Sequence, residues 1–419
     1  MQVRSVVSSA LSFLVDNDTS HFSTRLLISA FTTALLLSAW IYLAWGGIRS
    51  IWIEGVLAVV GLWLWLGLGG RGGLVAGFFV GVFWFWWVSL SFRYFGITWA
   101  MPFGIVGIGL IYGVIFWAIG RLKLPFKALA IGLGVGAIWP FGFNWLQPEL
   151  LIDGMTTLHF LLMLTLLTIG RYFVNNRSVM ITSFLAALAC AWWPTSTSSP
   201  LAPFPIQTIQ TNWDQEILWS PEYQEKIAAA SLASIEKAAA SGARVVVLPE
   251  SAFPFFLESS PERIALLQAQ SKQIAIIAGS IRHEHNAIYN TAYLFDKGVM
   301  RRMDKVIPVP FGEATPLPSF LTDWLNHLIF NGAQDYAKAD HPSDFTIDGV
   351  TFRSAICFEA TRPELYEAAP AFMIAISNNG WFTPSPEAVI QERLLRYFAR
   401  THKITIYHAT NQSPAGIIR

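Results

Sequence analysis

The chain has 419 residues, with 28 Lys and Arg against 27 Asp and Glu, and it is 53% hydrophobic but only 13% charged. Because an average soluble domain is about a quarter charged, this composition excludes a disordered chain and a protein that coats nucleic acid. Two cysteines exclude a disulfide framework. The charge is unevenly distributed, since residues 24–193 hold 12 of the 55 charged residues but 14 of the 18 Trp. We therefore predict a lipid-embedded first half and a water-exposed second half.

Apolar runs dominate the first half from residue 24 onward. Each approaches the ~20 residues that a helix needs to cross ~30 Å of hydrocarbon. We predict a membrane domain at residues 24–193, preceded by an N-terminal segment at 1–23, with about seven spans near 25–45, 50–69, 73–92, 97–119, 127–145, 152–170 and 177–193. The first run is not a cleavable signal peptide, because it is long and aromatic and a second span follows at once.

Basic residues in the loops predict the orientation of the spans. If the N-terminus is cytoplasmic, only Arg49 and Arg93 fall in the outside loops. The basic residues of the inside segments are then Arg4, Arg25, Arg71, Arg121, Lys123, Lys127, Arg171 and Arg177. An odd number of spans places the second half on the far side of the membrane. Glu54 lies within an apolar run near Arg49, and we interpret it as an interfacial residue of a passive anchor, not as a transport site.

The second half alternates helical and strand-like runs after a polar linker at residues 194–205. We predict helices at 224–241, 261–272, 363–369 and 386–401, and strands at 244–248, 274–278, 288–295, 298–302, 345–347, 351–356, 372–377 and 404–409. Asp348-Gly349 separates two of the strands and is typical of a hairpin turn. The alternation predicts an α/β domain at residues 206–419, with layered sheets covered by helices.

Three polar residues follow apolar strand runs in this domain, namely Glu250, Lys305 and Cys357. Taken singly, each has an ordinary structural explanation: a cap or turn carboxylate, a surface ammonium with a buried stem, and a small buried hydrophobe. Taken together they are chemically complementary. A carboxylate can take the proton of a thiol, the thiolate can attack a carbonyl, and an ammonium can stabilise the resulting oxyanion. The three residues therefore predict a thiol-based acyl-transfer site.

The order Glu, Lys, Cys, with spacings of 55 and 52 residues, resembles the nitrilase (carbon–nitrogen hydrolase) superfamily. The multi-span first half fits its membrane-embedded branch, the bacterial apolipoprotein N-acyltransferases. The matching motifs are Leu248-Pro249-Glu250, Lys305 with Val309-Pro310-Phe311-Gly312-Glu313, Cys357-Phe358-Glu359, Asn378-Asn379-Gly380-Trp381-Phe382, Ala409-Thr410-Asn411, Gln207 to Asn212 and Tyr289-Asn290.

The resemblance implies a multi-span helical membrane domain followed by a nitrilase-like αββα sandwich. Glu250 would be the general base, Lys305 the oxyanion stabiliser and Cys357 the nucleophile. Glu313 would steady the Lys and the base, and Glu359 would be a further functional glutamate beside the nucleophile. The implied reaction moves an acyl chain from a phospholipid to Cys as a thioester, and then to the α-amino group of a lipidated N-terminal Cys of an apolipoprotein. The implied location is the bacterial inner membrane, with the catalytic domain in the periplasm.

Some positions depart from the family pattern. Phe358 stands where the family usually has Tyr, and Thr383–Glu387 replaces a segment that usually bears a His. The chain ends at Arg419, whereas the resemblance implies a further strand and a last span, so we expect a sandwich that is incomplete or differently closed. Shorter relatives encoded among plasmid conjugal-transfer genes keep open a substrate other than a lipoprotein precursor.

Two apolar stretches, Leu317–Leu321 and Trp324–Phe330, could line an acyl path or could be ordinary amphipathic packing. His283-Glu284-His285 has no third ligand at a recognisable spacing, so we predict a solvated loop and neither a metal site nor a cofactor. The second half carries 18 Lys and Arg against 22 Asp and Glu, which argues against a nucleic-acid partner.

Three classes of function remain. The first is an acyltransferase on membrane lipid, the second an amidase or nitrilase whose thioester is hydrolysed, and the third a catalytically inactive membrane assembly protein. The membrane half favours the first over the second, because small soluble amides need no bilayer. The presence of Glu250, Lys305 and Cys357 argues against the third.

Overall fold

The structure is a computed structural model that describes residues 22–193, 199–316 and 335–419. The chain forms two compact units, described separately below. The first contains the predicted membrane domain. The second contains Thr197–Arg419 together with the short segment Arg93–Gly96. The predicted segment at 1–23 lies largely outside the described residues, as do residues 194–198 of the linker and both stretches of the predicted acyl path.

The first unit is an apolar helical membrane domain. Three helices that lie wholly or largely in it are long and apolar enough to cross a membrane by length and composition: Thr24–Trp45, Gly70–Phe95 and Thr98–Gly120. Four shorter apolar helices are Ile51–Gly67, Leu124–Ala137, Thr157–Tyr172 and Arg177–Ala191. Each of the seven predicted runs thus contains a helix. Small residues allow close packing, and at Gly73 an added Cβ would lie 2.3 Å from the carbonyl oxygen of Phe116 on a neighbouring helix.

The fifth predicted run is wrong in its extent. Its helix begins at Leu124 and ends at Ala137, after one π-helical and one 3₁₀ turn. Alternate glycines between residues 132 and 136 weaken the helix, and Pro140 with a left-handed Phe141 (φ 52°) ends helical geometry before residue 145. The sixth helix begins at Thr157, later than predicted.

Glu54 is buried inside the first unit, at 2% exposure. Its carboxylate accepts a hydrogen bond of 2.8 Å from the backbone N–H of Asp153. It therefore holds the irregular segment that precedes the sixth helix.

The second unit contains two β-sheets of six strands each within the described residues. The strands are β1 (Ile206–Thr208), β2 (Gln210–Thr211), β3 (Val245–Val247), β4 (Phe253–Phe256), β5 (Ala275–Glu284), β6 (Ala287–Asp296), β7 (Val299–Asp304), β8 (Asp344–Ile347), β9 (Val350–Ile356), β10 (Phe372–Asn378), β11 (Thr405–Asn411) and β12 (Gly416–Ile418). All eight predicted strand runs are strands.

One sheet has the order β1-β3-β5-β6-β7, with β4 paired to β5, and the other has the order β12-β11-β10-β9-β8, with β2 paired to β11. Strands β1, β3 and β5 are parallel, as are β9, β10 and β11. The hairpin between β8 and β9 turns at Asp348-Gly349, both with positive φ, as the sequence predicts.

The two sheets pack face to face. Their shared core contains Val245, Val247, Ala275, Ile277, Ala292, Leu294 and Met303 from the first sheet and Phe345, Ile347, Phe352, Ile356, Ile374, Ile376, Tyr407 and Ala409 from the second. Helices Pro221–Ala240 and Pro261–Gln270 cover the outer face of the first sheet. Helix Glu387–His402 packs on β11 and β12 of the second sheet. The layers form an αββα sandwich, and the predicted fold is confirmed.

The helix predicted at 363–369 is reduced to a 3₁₀ turn, Pro363–Tyr366. Arg353 on β9 explains this result, because its Nη1 donates to the carbonyl oxygens of Leu365 (3.0 Å) and Glu367 (2.8 Å). Those carbonyls are therefore engaged by a side chain at the point where a longer helix would have to continue.

Candidate active site

Glu250 lies in the turn that follows β3. Its backbone is pressed against β5: an added Cβ on Gly279 would lie 1.8 Å from the carbonyl oxygen of Glu250. The N–H of Gly279 also donates to the carbonyl of Pro249 at 3.1 Å. The position of the Glu250 carboxylate therefore depends on a glycine, Gly279, on the neighbouring strand β5.

Lys305 follows β7 and is 2% exposed. Its Nζ lies 2.7 Å from Glu313 Oε2 and 3.9 Å from Glu250 Oε1. Burial alone lowers the pKa of Lys305, but the two carboxylates outweigh burial and the net shift is upward. The ammonium is therefore charged, and with three N–H donors it retains capacity for a further acceptor.

Asn290 on β6 orients both carboxylates. Its Nδ2 donates to Glu250 Oε1 at 2.7 Å and to Glu313 Oε1 at 2.7 Å. An amide nitrogen carries two hydrogens, so both are used. Glu313 also accepts a hydrogen bond of 2.8 Å from the backbone N–H of Val309, which fixes the loop after Lys305.

Cys357 follows β9 at the start of the 3₁₀ turn Cys357–Thr361 and has a φ of 54°. A left-handed conformation is uncommon for a residue with a side chain and is found at functional sites. The Glu250 carboxylate and the backbone N–H of Asn378 both lie near enough to the thiol to act on its pKa. Burial and the charge of Glu250 raise the pKa of Cys357, whereas Lys305 lowers it.

Burial also raises the pKa of Glu250, and this shift is opposed by Lys305. A carboxylate with a raised pKa is a stronger base towards a thiol. A buried thiol beside a carboxylate and a fixed ammonium is an arrangement in which the carboxylate can take the thiol proton and so generate a nucleophile.

Glu359 connects the two loops of the site. Its Oε1 accepts from the backbone N–H of Ile356 at 2.7 Å, and its Oε2 accepts from those of Val306 (2.8 Å) and Ile307 (3.2 Å). Burial, partly offset by Lys305, raises the pKa of Glu359 to about 7. These bonds support a positioning task for Glu359.

The remaining predicted residue, Phe358, is buried at 3% exposure beneath the guanidinium of Arg362, which lies 5.9 Å from the ring centroid. The structure also places Tyr336 at this site. Its backbone N–H donates to the carbonyl of Glu313 at 2.7 Å, and burial together with the charges of Glu313 and Glu250 raises the pKa of its phenol to about 12.

The structure brings together Glu250, Lys305, Cys357, Glu313 and Glu359. In the sequence, Asn290 stands out only as part of a matching motif, and Gly279 and Tyr336 belong to no recognisable motif. The register of β5 with β6, which pairs Ile281 with Asn290, determines where the amide lies, and no local pattern reveals that register.

The His283-Glu284-His285 motif does not form the predicted loop. His283 and Glu284 are the last residues of β5, and His285 begins the turn to β6. Within the described ranges no group of three or more His, Cys, Asp or Glu side chains is arranged to hold a metal ion.

An αββα sandwich that joins a carboxylate, an ammonium and a thiol defines a carbon–nitrogen hydrolase. Residues 208–397 match the carbon–nitrogen hydrolase family, and residues 24–193 match the apolipoprotein N-acyltransferase integral membrane domain. A CN-hydrolase superfamily protein from Xanthomonas campestris aligns with 52% of this chain and 78% of its own, at 16% identity and a TM-score of 0.38.

Whole-chain relatives give the narrower assignment. The apolipoprotein N-acyltransferase of Wolinella succinogenes is 41% identical over 92% of this chain and 94% of its own length. That of Helicobacter pylori is 35% identical over 88% of each chain, and that of Campylobacter jejuni 30% identical over 92% of this chain and 88% of its own. The chain belongs to the apolipoprotein N-acyltransferase family.

Proposed function

We propose that this protein transfers an acyl chain from a phospholipid to Cys357 and from there to an amine, the N-terminal Cys of an apolipoprotein. The observation that carries the proposal is the buried Lys305 ammonium, 3.9 Å from the Glu250 carboxylate, with the Cys357 thiol near enough to both for each charge to shift its pKa. The lipoprotein acceptor rests on the family assignment.

In the first half-reaction, Glu250 takes the thiol proton and the Cys357 thiolate attacks the ester carbonyl of the lipid. The Lys305 ammonium stabilises the oxyanion. The C–O bond then breaks, and Glu250 returns its proton to the departing alkoxide of the lysophospholipid. A thioester remains on Cys357.

In the second half-reaction, a neutral amine attacks the thioester carbonyl, and Lys305 again stabilises the oxyanion. The C–S bond breaks, the nitrogen gives one proton to Glu250, and Glu250 passes that proton to the Cys357 thiolate. The products are an amide and the resting enzyme. An apolar donor and a lipidated acceptor both reside in a bilayer, which agrees with an integral membrane domain. In this proposal the enzyme lies in the bacterial inner membrane with its catalytic domain in the periplasm.

The test is mass spectrometry of the purified full-length protein after incubation with phospholipid vesicles. We expect an acyl-sized mass increase on the Cys357 peptide that hydroxylamine removes. Cys357→Ser should lack the hydroxylamine-labile adduct, whereas Cys190→Ser, which alters the other cysteine of the chain, should retain it. An unmodified wild-type Cys357 would contradict the proposal.

A second measurement identifies the acceptor. Addition of a peptide with an N-terminal S-diacylglyceryl-cysteine should discharge the thioester and leave the acyl group on the peptide α-nitrogen. Release of free fatty acid instead, at a rate independent of the peptide, would indicate an amidase-type hydrolase. The conjugal-transfer alternative has an acceptor other than a lipoprotein precursor. In that case amines would discharge the Cys357 thioester without preference for the lipidated peptide.

A further inference from the structure

Glu387 is a buried acid that the proposed mechanism does not use. It begins helix Glu387–His402 and is 3% exposed. Its backbone N–H donates to Ser385 Oγ at 3.2 Å, but no hydrogen bond or ion pair to its carboxyl group is found among residues 22–193, 199–316 and 335–419. A buried carboxyl group without a partner is costly to ionise. The stability of the fold therefore does not explain an acid at this position.

The helix that begins at Glu387 packs against the 3₁₀ turn Cys357–Thr361, which carries the nucleophile. The charge of an ionised Glu387 reaches the sulfur, because it raises the pKa of Cys357. Glu387 and Glu250 thus lie on different elements of the fold, and the charge of each acts on the sulfur of Cys357.

Other ionisable groups near this helix are already engaged. On the packed elements, Glu359 accepts three backbone hydrogen bonds, Glu364 pairs with Arg362, and His408 bonds Ser377 Oγ at 2.8 Å. On the helix itself, Glu392 pairs with Arg396. Burial is the cause of the shift at Glu387, and it raises the pKa of that carboxyl to about 8.

We propose that Glu387 is the acceptor-side base, which binds the ammonium form of the incoming amine and takes one proton from it before attack on the thioester. This inference rests on the proposed function. It divides the proton transfers between two carboxyl groups: Glu387 takes the extra proton of the ammonium before attack, and Glu250 exchanges protons with the thiol and with the attacking nitrogen.

The charge on Cys357 controls when Glu387 can act. While the sulfur is being ionised, a negative Glu387 would oppose the thiolate, so the neutral acid is the compatible form. Once the thioester has formed, no thiolate has to be generated, so an ionised Glu387 no longer opposes a step of the reaction. Glu387 then releases its proton to water and its carboxylate attracts the ammonium of the acceptor.

The protons balance over the cycle. The ammonium gives one proton to the Glu387 carboxylate, which regenerates the neutral acid, and the resulting amine attacks the thioester as described above. The net reaction is ammonium plus thioester to amide, thiol and one proton released to water. The pKa of a free α-amino group is about 7.7–8.0, close to the value for Glu387, so the proton transfer needs little free energy in either direction.

The test uses Glu387→Gln in the full-length protein, loaded with acyl chain from phospholipid vesicles and then mixed with the S-diacylglyceryl-cysteine peptide. We expect normal thioester yield, which also shows that the site is folded. Transfer to the peptide at pH 7 should be slower by about 10²-fold, the lower end of the usual range for a positioned acid or base. The defect should shrink as the pH rises to 9, because the peptide amine then arrives deprotonated.

Glu387→Asp keeps a carboxyl group and should restore part of the rate. Glu392→Gln, one turn further along the same helix, is the matched control and should transfer normally. Wild-type transfer kinetics in Glu387→Gln, or a defect that is the same at pH 7 and pH 9, would overturn the assignment while leaving the thioester mechanism intact. A wild-type protein that forms no thioester would instead overturn the proposed function.

Discussion

Gly279 offers a direct test of how the base is positioned. In Gly279→Ala the new Cβ would lie 1.8 Å from the carbonyl oxygen of Glu250, and ordinary contact begins near 3.4 Å. The turn after β3 and strand β5 would therefore have to separate by about 1.6 Å. A displacement of about 1 Å at a catalytic group costs on the order of 10²-fold in rate. Overpacking of this kind also destabilises by roughly 1–3 kcal/mol.

We expect Gly279→Ala to form the Cys357 thioester about 10²-fold more slowly than wild type in a single-turnover assay with phospholipid vesicles. The melting temperature should fall by about 2–4 °C for each kcal/mol lost. Gly416→Ala is the matched control, because an added Cβ there meets nothing within 4 Å, and it should leave both values unchanged. Thioester formation at the wild-type rate in Gly279→Ala would refute the idea that this close contact sets the position of Glu250.

Three further measurements address the neighbouring groups. Asn290→Leu removes the donor shared by Glu250 and Glu313 and should slow thioester formation at least about tenfold; an unchanged rate would show that the carboxylates hold their places unaided. Lys305→Met should lower the yield of thioester by about 10²–10³-fold without loss of vesicle binding, and full yield would remove Lys305 from the oxyanion step. Glu387 has a pKa raised to about 8 when folded, so its contribution to stability is present below about pH 4.5 and is lost as the pH rises through 8. Thermal melts should therefore show a smaller decline between pH 5 and pH 9 in Glu387→Gln than in wild type, and identical declines would contradict the raised pKa.

The sequence was most informative where a strand ends in a polar residue. Apolar runs marked β3 and β9, which are buried along most of their length, and Glu250 and Cys357 follow them. Lys305 follows β7, which is largely exposed, and the three residues do lie together in the sandwich. Local patterning suffices to locate such strand ends, whereas the residues meet because β3 and β7 lie in one sheet and β9 in the sheet packed against it.

Other site residues depend on contacts between distant segments. Asn290 reads as an ordinary strand residue until the pairing of β5, β6 and β7 brings it to the carboxylates. Glu387 has the sequence context of a solvated acid in the first turn of a helix, where acids are common, and only the packing of that helix buries it. The end of the helix predicted at 363–369 likewise depended on a side chain ten residues earlier, Arg353.

Because one carboxylate, that of Glu359, accepts hydrogen bonds from amides on both sides of the site, the segments bearing the nucleophile and the ammonium are joined at a single group. A local opening that displaces the Glu359 side chain frees the amides of Ile356, Val306 and Ile307 together. Their hydrogen–deuterium exchange should consequently proceed with a common opening free energy and respond together to Glu359→Gln. One reversible local opening would thus displace the nucleophile and the ammonium together, and reclosing would restore both.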